Sequence, residues 1–259
     1  MPNPELHRPV SPGTSPELQV RSCTSVEEFE QMVDLQQRVW GYSERDAVPA
    51  IMFVVAAKTG GQVLGAFVGG QVVGFALAYP GIHDGGPYLH SHMAAVLPEY
   101  RDMGIGRELK LAQRKDALSR GIHCIEWTFD PLQPKNAYFN ICRLGVTVRN
   151  YLPNLYGSTS SPLHAGLPTD RLLAEWRLDS NRVADVLAGK APRVGKNTAR
   201  VRVALPPESA PTRLLAEVQT AVRESFQRLF AEDYAVAWLE REGNGVSYIL
   251  QRLRREESD

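Results

Sequence analysis

In the stretch LHSHMAAVLPEYRDMGIGREL, from Leu89 to Leu109, the pair His90 and His92 is followed by Arg101, Gly104, Gly106 and Arg107. Histidines at i and i+2 of a strand emerge on one face, and an unperturbed pKa of about 6.5 suits a base working near neutrality. Gly104 and Gly106 open a run of helical character. The first backbone N–H groups of a helix have no intrahelical partner, and with the helix dipole they attract an anion. Glycines there let the backbone approach a phosphate closely, and Arg101 and Arg107 can add charge-assisted bonds. The chemistry implied is proton removal beside a phosphorylated cofactor.

Other glycine-rich phosphate sites have different neighbours. A dinucleotide-binding turn wants a third glycine where this chain has Leu109, and the loop of nucleoside triphosphatases wants Lys-Ser or Lys-Thr after its glycines. Neither is present. What remains is Arg101-x-x-Gly104-x-Gly106, preceded by V-x-P-E-Y-R. It resembles the coenzyme-A signature of the GNAT acyltransferases, R/Q-x-x-G-x-G/A, over a region of residues 19–180.

That resemblance implies an acyl-CoA-dependent N-acyltransferase. Acetyl-CoA or another acyl-CoA such as succinyl-CoA is then the co-substrate, with no metal, and the amine of a small molecule attacks the thioester directly. The signature strand would splay from its neighbour and bond the pantetheine arm through the backbone of Ala94 and Val96. The Ala94 N–H would polarise the thioester carbonyl, the amides of Met103, Gly104, Ile105, Gly106 and Arg107 would hold the pyrophosphate, and Asn136 and Asn140 would add cofactor contacts. The spacing H-x-H-x-x-x-V is similar to that of arylalkylamine acetyltransferases, where two histidines deprotonate the amine.

The proton donor to the leaving thiolate departs from the family pattern. Counting back four residues from Gly145 reaches Ile141, where many members carry tyrosine. Tyr138, one turn earlier, is the catalytic candidate in its place, with Tyr151 and Tyr156 further on. Cys142 has no identifiable partner histidine and reads as a buried thiol. Two rival readings remain. One is a non-catalytic module that binds coenzyme A or a protein. The other is a metal site of His90 and His92 with His83, His123 or His164 as third ligand. For the acceptor, GNAT-like chains with such a C-terminal extension resemble acyltransferases acting on amino acids, and Arg143, Arg149 or Arg171 could pair with a carboxylate.

The elements that must position these residues follow from pattern. The chain of 259 residues is 43% hydrophobic and carries 29 basic against 29 acidic side chains. No net field draws it to nucleic acid or an anionic membrane. Three scattered cysteines and no long apolar run point to a reducing cytoplasm and no membrane span. Residues 1–18 are proline-rich and read as a disordered tail.

A strand then leads to a helix capped by Thr24 or Ser25 with Glu27 or Glu28, and Gly41 stops it. A second helix is expected over 48–58, a hairpin around Gly69-Gly70 and a strand over 87–97. After the glycine turn come a helix ending at Gly121, the strand HCIEWTF, a short helix PKNAYFNICRLG, the strand VTVRNYL and a strand over 170–178. Hairpins followed by alternating strands and helices imply a mixed, mostly antiparallel α/β sheet flanked by helices. The acyltransferase domain so defined spans 19–180, a helix and linker 181–197, and a smaller C-terminal α/β unit 198–259. That unit would shape the substrate pocket or form a homodimer contact.

Overall fold

The computed structural model describes residues 17–83, 85–157, 166–191, 195, 197–207, 209–242 and 245–253. The expected tail, apart from Glu17 and Leu18, lies outside the described residues, as do His164 and the turn residues Gly243 and Asn244.

Strand β1 (Gln19–Ser22) leads into helix α1 (Val26–Trp40). Of the two candidate caps Ser25 serves: its hydroxyl accepts from the Glu28 N–H at 3.3 Å, and the Glu28 carboxylate accepts from the Ser25 N–H. Gly41 closes the helix at φ 64°. Helix α2 (Ala50–Lys58) starts after Pro49 rather than at Val48, because a residue before proline is pushed out of the helical region. Strands β2 (Gln62–Val68) and β3 (Gln71–His83) form the expected hairpin, with Gly69 at φ 57° and Gly70 at φ 85°. Two positive φ angles in a two-residue turn are what glycine permits cheaply.

Strand β4 (Gly86–Val96) carries the histidines. A short 3-10 turn (Pro98–Tyr100) then leads to α3 (Ile105–Ser119), β5 (Cys124–Phe129), α4 (Pro134–Tyr138, continued by a π turn over Phe139–Leu144), β6 (Thr147–Leu152) and β7 (Arg171–Arg177). After α5 (Asn181–Leu187) come β8 (Thr198–Ala204), α6 (Thr212–Ala231), β9 (Tyr234–Glu242) and β10 (Gly245–Arg252).

Among the described residues all ten strands join one sheet in the order β1-β2-β3-β4-β5-β7-β6-β9-β10-β8. Only β4 and β5 run parallel. The C-terminal strands therefore extend the sheet of the first part through β6 and β9. Their side chains share its core: Phe226 of α6 and Tyr248 of β10 belong to the same apolar cluster as Ile125 of β5 and Trp176 of β7. A second cluster, around Phe29, Phe53, Phe75 and Leu109, joins α1, α2 and α3 to β2 and β3. The two clusters meet along β4, where the sheet opens.

Candidate active site

Strands β4 and β5 pair only at Leu89 with Ile125 and His90 with Glu126. Beyond those residues they diverge. The divergence starts at a bulge in β4: Met93 faces Leu77 and Ser91 faces Ala78, so His92 has no residue opposite it on β3. A bulge bends its strand and re-aims side chains, and this one turns β4 away from its parallel neighbour. The Leu97 N–H bonds the Val73 carbonyl on β3 at 2.9 Å. By strand alternation, Ala94 and Val96 therefore direct their N–H and C=O groups to the opposite side, into the opening. The result is a cleft of about 670 Å³ that passes through the sheet.

One end of the cleft lies on the α3 and α4 side, lined by Gly106, Lys110, Trp127, Asn136, Phe139 and Asn140. Gly104 caps α3 at φ 82° without a side-chain bond, and its carbonyl accepts from the Arg107 and Glu108 N–H groups. The N–H groups of Ile105 and Gly106, in the first turn, have no helical acceptor. A Cβ at Gly106 would meet nothing within 4 Å, so open space stands over those donors.

Asn136 and Asn140 are joined at 3.3 Å, and the Trp127 indole donates to the Asn140 carboxamide oxygen at 3.3 Å. Between them Lys110 is 4% exposed, donates to the Ser91 hydroxyl at 2.7 Å and sits 3.8 Å over the Trp127 ring. Burial pulls its ammonium down to about 7.

The other end lies on the α1 side and is lined by Trp40, Tyr42, Asp46, His92, Tyr156 and Arg171. Trp40, the last residue of α1, stacks on Tyr42 at 5.5 Å, and the loop that follows is pinned by Gln36. That fully buried amide gives its N–H to the Val48 carbonyl at 3.0 Å and accepts the Val48 N–H at 2.8 Å. Across the cleft, Tyr156 and Thr128 share a hydroxyl bond at 2.8 Å, and the Arg171 guanidinium is 5.5 Å from the Tyr156 ring. Arg171 is 8% exposed and donates to the Asp170 carbonyl at 2.8 Å.

His92 lies 5.7 Å from Tyr79 and 6.3 Å from His90, ring to ring. Burial lowers the pKa of both imidazoles. The His90 charge lowers His92 further, and for His90 the Lys110 charge also lowers it while Glu126 opposes.

These features suit an acyl-CoA. Free amides at a helix start meet the charge of a pyrophosphate, and an unpaired strand edge inside a narrow cleft meets the amide groups of a pantetheine arm.

Residues 29–140 match the model of the Acetyltransferase (GNAT) family. Over those residues the chain matches a GNAT acetyltransferase domain. The activity that such a domain implies is acetyl-CoA-dependent acetylation of an amine. Among solved structures, the ribosomal-protein-S18-alanine N-acetyltransferase of Escherichia coli superposes with a TM-score of 0.51 at 15% identity, covering 63% of this chain and 96% of that one. The structure of yncA from Salmonella typhimurium with its cofactor acetyl-CoA gives 0.51 at 18% identity, covering 63% and 95%. At such identities the likeness is one of fold. No curated protein matches the chain significantly in sequence.

Within this GNAT domain the expected residues separate. Ala94, Val96, Gly106, Asn136 and Asn140 line the cleft together with His92. His90 does not line it and stands behind His92. Met103 is exposed, and the Ile105 side chain is buried in the core, so each offers only its backbone. Arg101 bonds back to the Val96 carbonyl at 3.4 Å, and Arg107 reaches the Leu187 carbonyl at 3.5 Å.

Tyr138 lines a separate cavity with Arg107, Arg143, Lys190 and Trp238 and is not among the residues lining the cleft. Tyr151 is also turned away. Its hydroxyl donates to the buried Asp170 carboxylate at 2.7 Å, and burial with that carboxylate pushes its pKa far up. Ile141 is fully buried, and the Cys142 thiol, raised to about 11 by burial, bonds the Leu239 carbonyl.

Of the candidate third ligands for a metal, His164 lies outside the described residues. His83 bonds Glu126 and His123 bonds Asp179, and among the described residues no group of His, Cys, Asp or Glu forms a ligand set. Of the three candidate arginines, Arg171 reaches the cleft; Arg143 borders the second cavity and Arg149 lies beside Glu175. Sequence reading missed Lys110, Trp127, Tyr42 and Asp46. In sequence Lys110 stands beside Leu109 but off the apolar face of α3, with Arg107, Arg114 and Lys115, and so reads as a solvated cation.

Proposed function

We propose that this acetyltransferase moves the acetyl group of acetyl-CoA to the amine of a small molecule bearing a carboxylate, an amino acid or close relative. The observation that carries this reading is the α1-side mouth of the cleft. There the nearly buried Arg171 stands among Trp40, Tyr42 and Tyr156, with His92 between them and the open edge of β4. A planar guanidinium recognises a carboxylate bidentately, and aromatic walls favour a compact ligand.

In this reading the pyrophosphate rests on the α3 amides and Arg107, with Arg101 beside it. The pantetheine lies along Ala94 and Val96, and Asn136 and Asn140 hold its polar groups. His92, with His90 behind it, accepts the amine proton, and the Ala94 N–H stabilises the oxyanion as the amine attacks the thioester carbonyl.

The test is release of free thiol from acetyl-CoA, and from succinyl-CoA, with a panel of amino acids, their decarboxylated counterparts and short peptides. Amino acids are expected to turn over best, and Arg171→Gln to raise their KM at least 10-fold while leaving the KM for acetyl-CoA unchanged. Equal turnover of decarboxylated amines, or turnover of peptides alone, would refute the assignment.

A further inference from the structure

A lysine ammonium is rarely buried without a carboxylate, because removing a charge from water costs several kcal/mol. Lys110 is 4% exposed, and among the described residues no carboxylate pairs with it; its contacts are one hydroxyl, Ser91, and one aromatic face, Trp127. Gln113, fully buried one turn along α3, bonds the same Ser91 hydroxyl at 3.2 Å and fixes its position. The titratable group that feels its charge across β4 is His90. Such an arrangement is costly for stability alone, and it is placed on the cleft wall.

Its position along the cleft is specific. The helix rises about 1.5 Å per residue, so Lys110 stands roughly 6 Å deeper than Gly106. Its partner Ser91 adjoins the last residues at which β4 and β5 are still paired. A pantetheine arm entering from the α3 amides along Ala94 and Val96 ends at that vertex, with its sulfur between His92 on one wall and Lys110 and Trp127 on the other.

Resting on the acyl-CoA reading above, we propose that Lys110 is the acid that protonates the departing coenzyme-A thiolate. The amine nitrogen bonds the thioester carbon, the C–S bond breaks, and the electron pair on sulfur takes a proton from the Lys110 ammonium. The proton lost by the amine goes to His92, and exchange through water returns Lys110 to its charged form, so protons balance over a turnover. Lys110 thus takes the task for which Tyr138 lines a different cavity and the apolar Ile141 has no proton to give. Its ammonium, lowered to about 7 by burial, gives up a proton readily to a thiolate.

The test uses the full chain and coenzyme A itself. Ionisation of the bound thiol is followed by thiolate ultraviolet absorbance in wild type, Lys110→Met and Lys110→Gln, the second guarding against a misfolded first variant. The bound thiol is expected to ionise at least one pH unit lower in wild type than in either variant. With the best acceptor, kcat is expected to fall about 100-fold or more in the variants, and the alkaline decline of the wild-type pH profile to disappear. Equal thiol titration, or an alkaline decline retained in the variants, would overturn the role of Lys110. A wild-type chain that binds no coenzyme A would instead overturn the reading on which it rests.

Discussion

Deprotonating an acceptor amine requires a neutral imidazole, and the cleft supplies one by desolvation. Partial desolvation in the cleft and the His90 charge both push the His92 pKa below 6.5. A base whose pKa is lowered becomes competent at lower pH. Thus kcat/KM is expected to rise with pH through an apparent pKa under 6.5 and then to decline on the alkaline side as Lys110 loses its proton. His92→Gln is expected to lower kcat/KM about 100-fold or more and to erase that rising limb, read from a pH profile with a fixed acceptor. His90→Gln, one ring removed, should shift the limb upward by relieving the like charge while retaining most of the rate. A rising limb unchanged in the His92 variant would assign the base elsewhere.

At the scale of elements, the start of α3 is the part most open to a clean test. Gly104 sits at φ 82°, where any other residue is strained, so a substitution there confounds binding with folding. Gly106 lies in the helix with nothing within 4 Å of its missing Cβ. Gly106→Leu should therefore stabilise the free protein by about 0.5–1 kcal/mol, the ordinary helix preference, while filling the space over the free amides. Calorimetry is expected to show acetyl-CoA affinity reduced at least 100-fold beside an unchanged or higher Tm. Unaltered affinity would move the pyrophosphate off α3.

At the scale of the whole molecule, α6 reaches the segment that carries Arg171 at the cleft. Asp170, fully buried, precedes Arg171 and accepts from Arg223 of α6 at 2.8 and 3.0 Å, from the Tyr151 hydroxyl, and from the Asn154 N–H at 3.0 Å. Gln219, a turn earlier on α6, donates to the Pro168 carbonyl at 2.8 Å. The segment bearing Arg171 and the loop bearing Tyr156 are thus clamped by a helix far downstream in sequence. Arg223→Met leaves a buried carboxylate without its cation, a loss of about 3–5 kcal/mol. Thermal melts should show that loss, and in the surviving folded protein the acceptor KM should rise more than the acetyl-CoA KM. Equal changes in both would show that α6 supports the fold without shaping the acceptor wall.

What the sequence determined by itself is what local chemistry encodes. The capping box at Ser25 and Glu28, the Gly69-Gly70 hairpin, the period of α3 and the Arg101-x-x-Gly104-x-Gly106 turn each draw on residues close in the chain, so elements and cofactor class were legible. The tertiary structure alone decided which side chains share the cleft. A bulge at His92 depends on the register with β3, the separation of β4 from β5 depends on a neighbour that follows α3, and the orientation of Tyr138 depends on α5 and β9 closing a different cavity beside it. Lys110 illustrates the limit most sharply: as a residue type it reads as solvated, and only the packing of Trp127 and Ser91 around it removes the water that would keep it an ordinary cation.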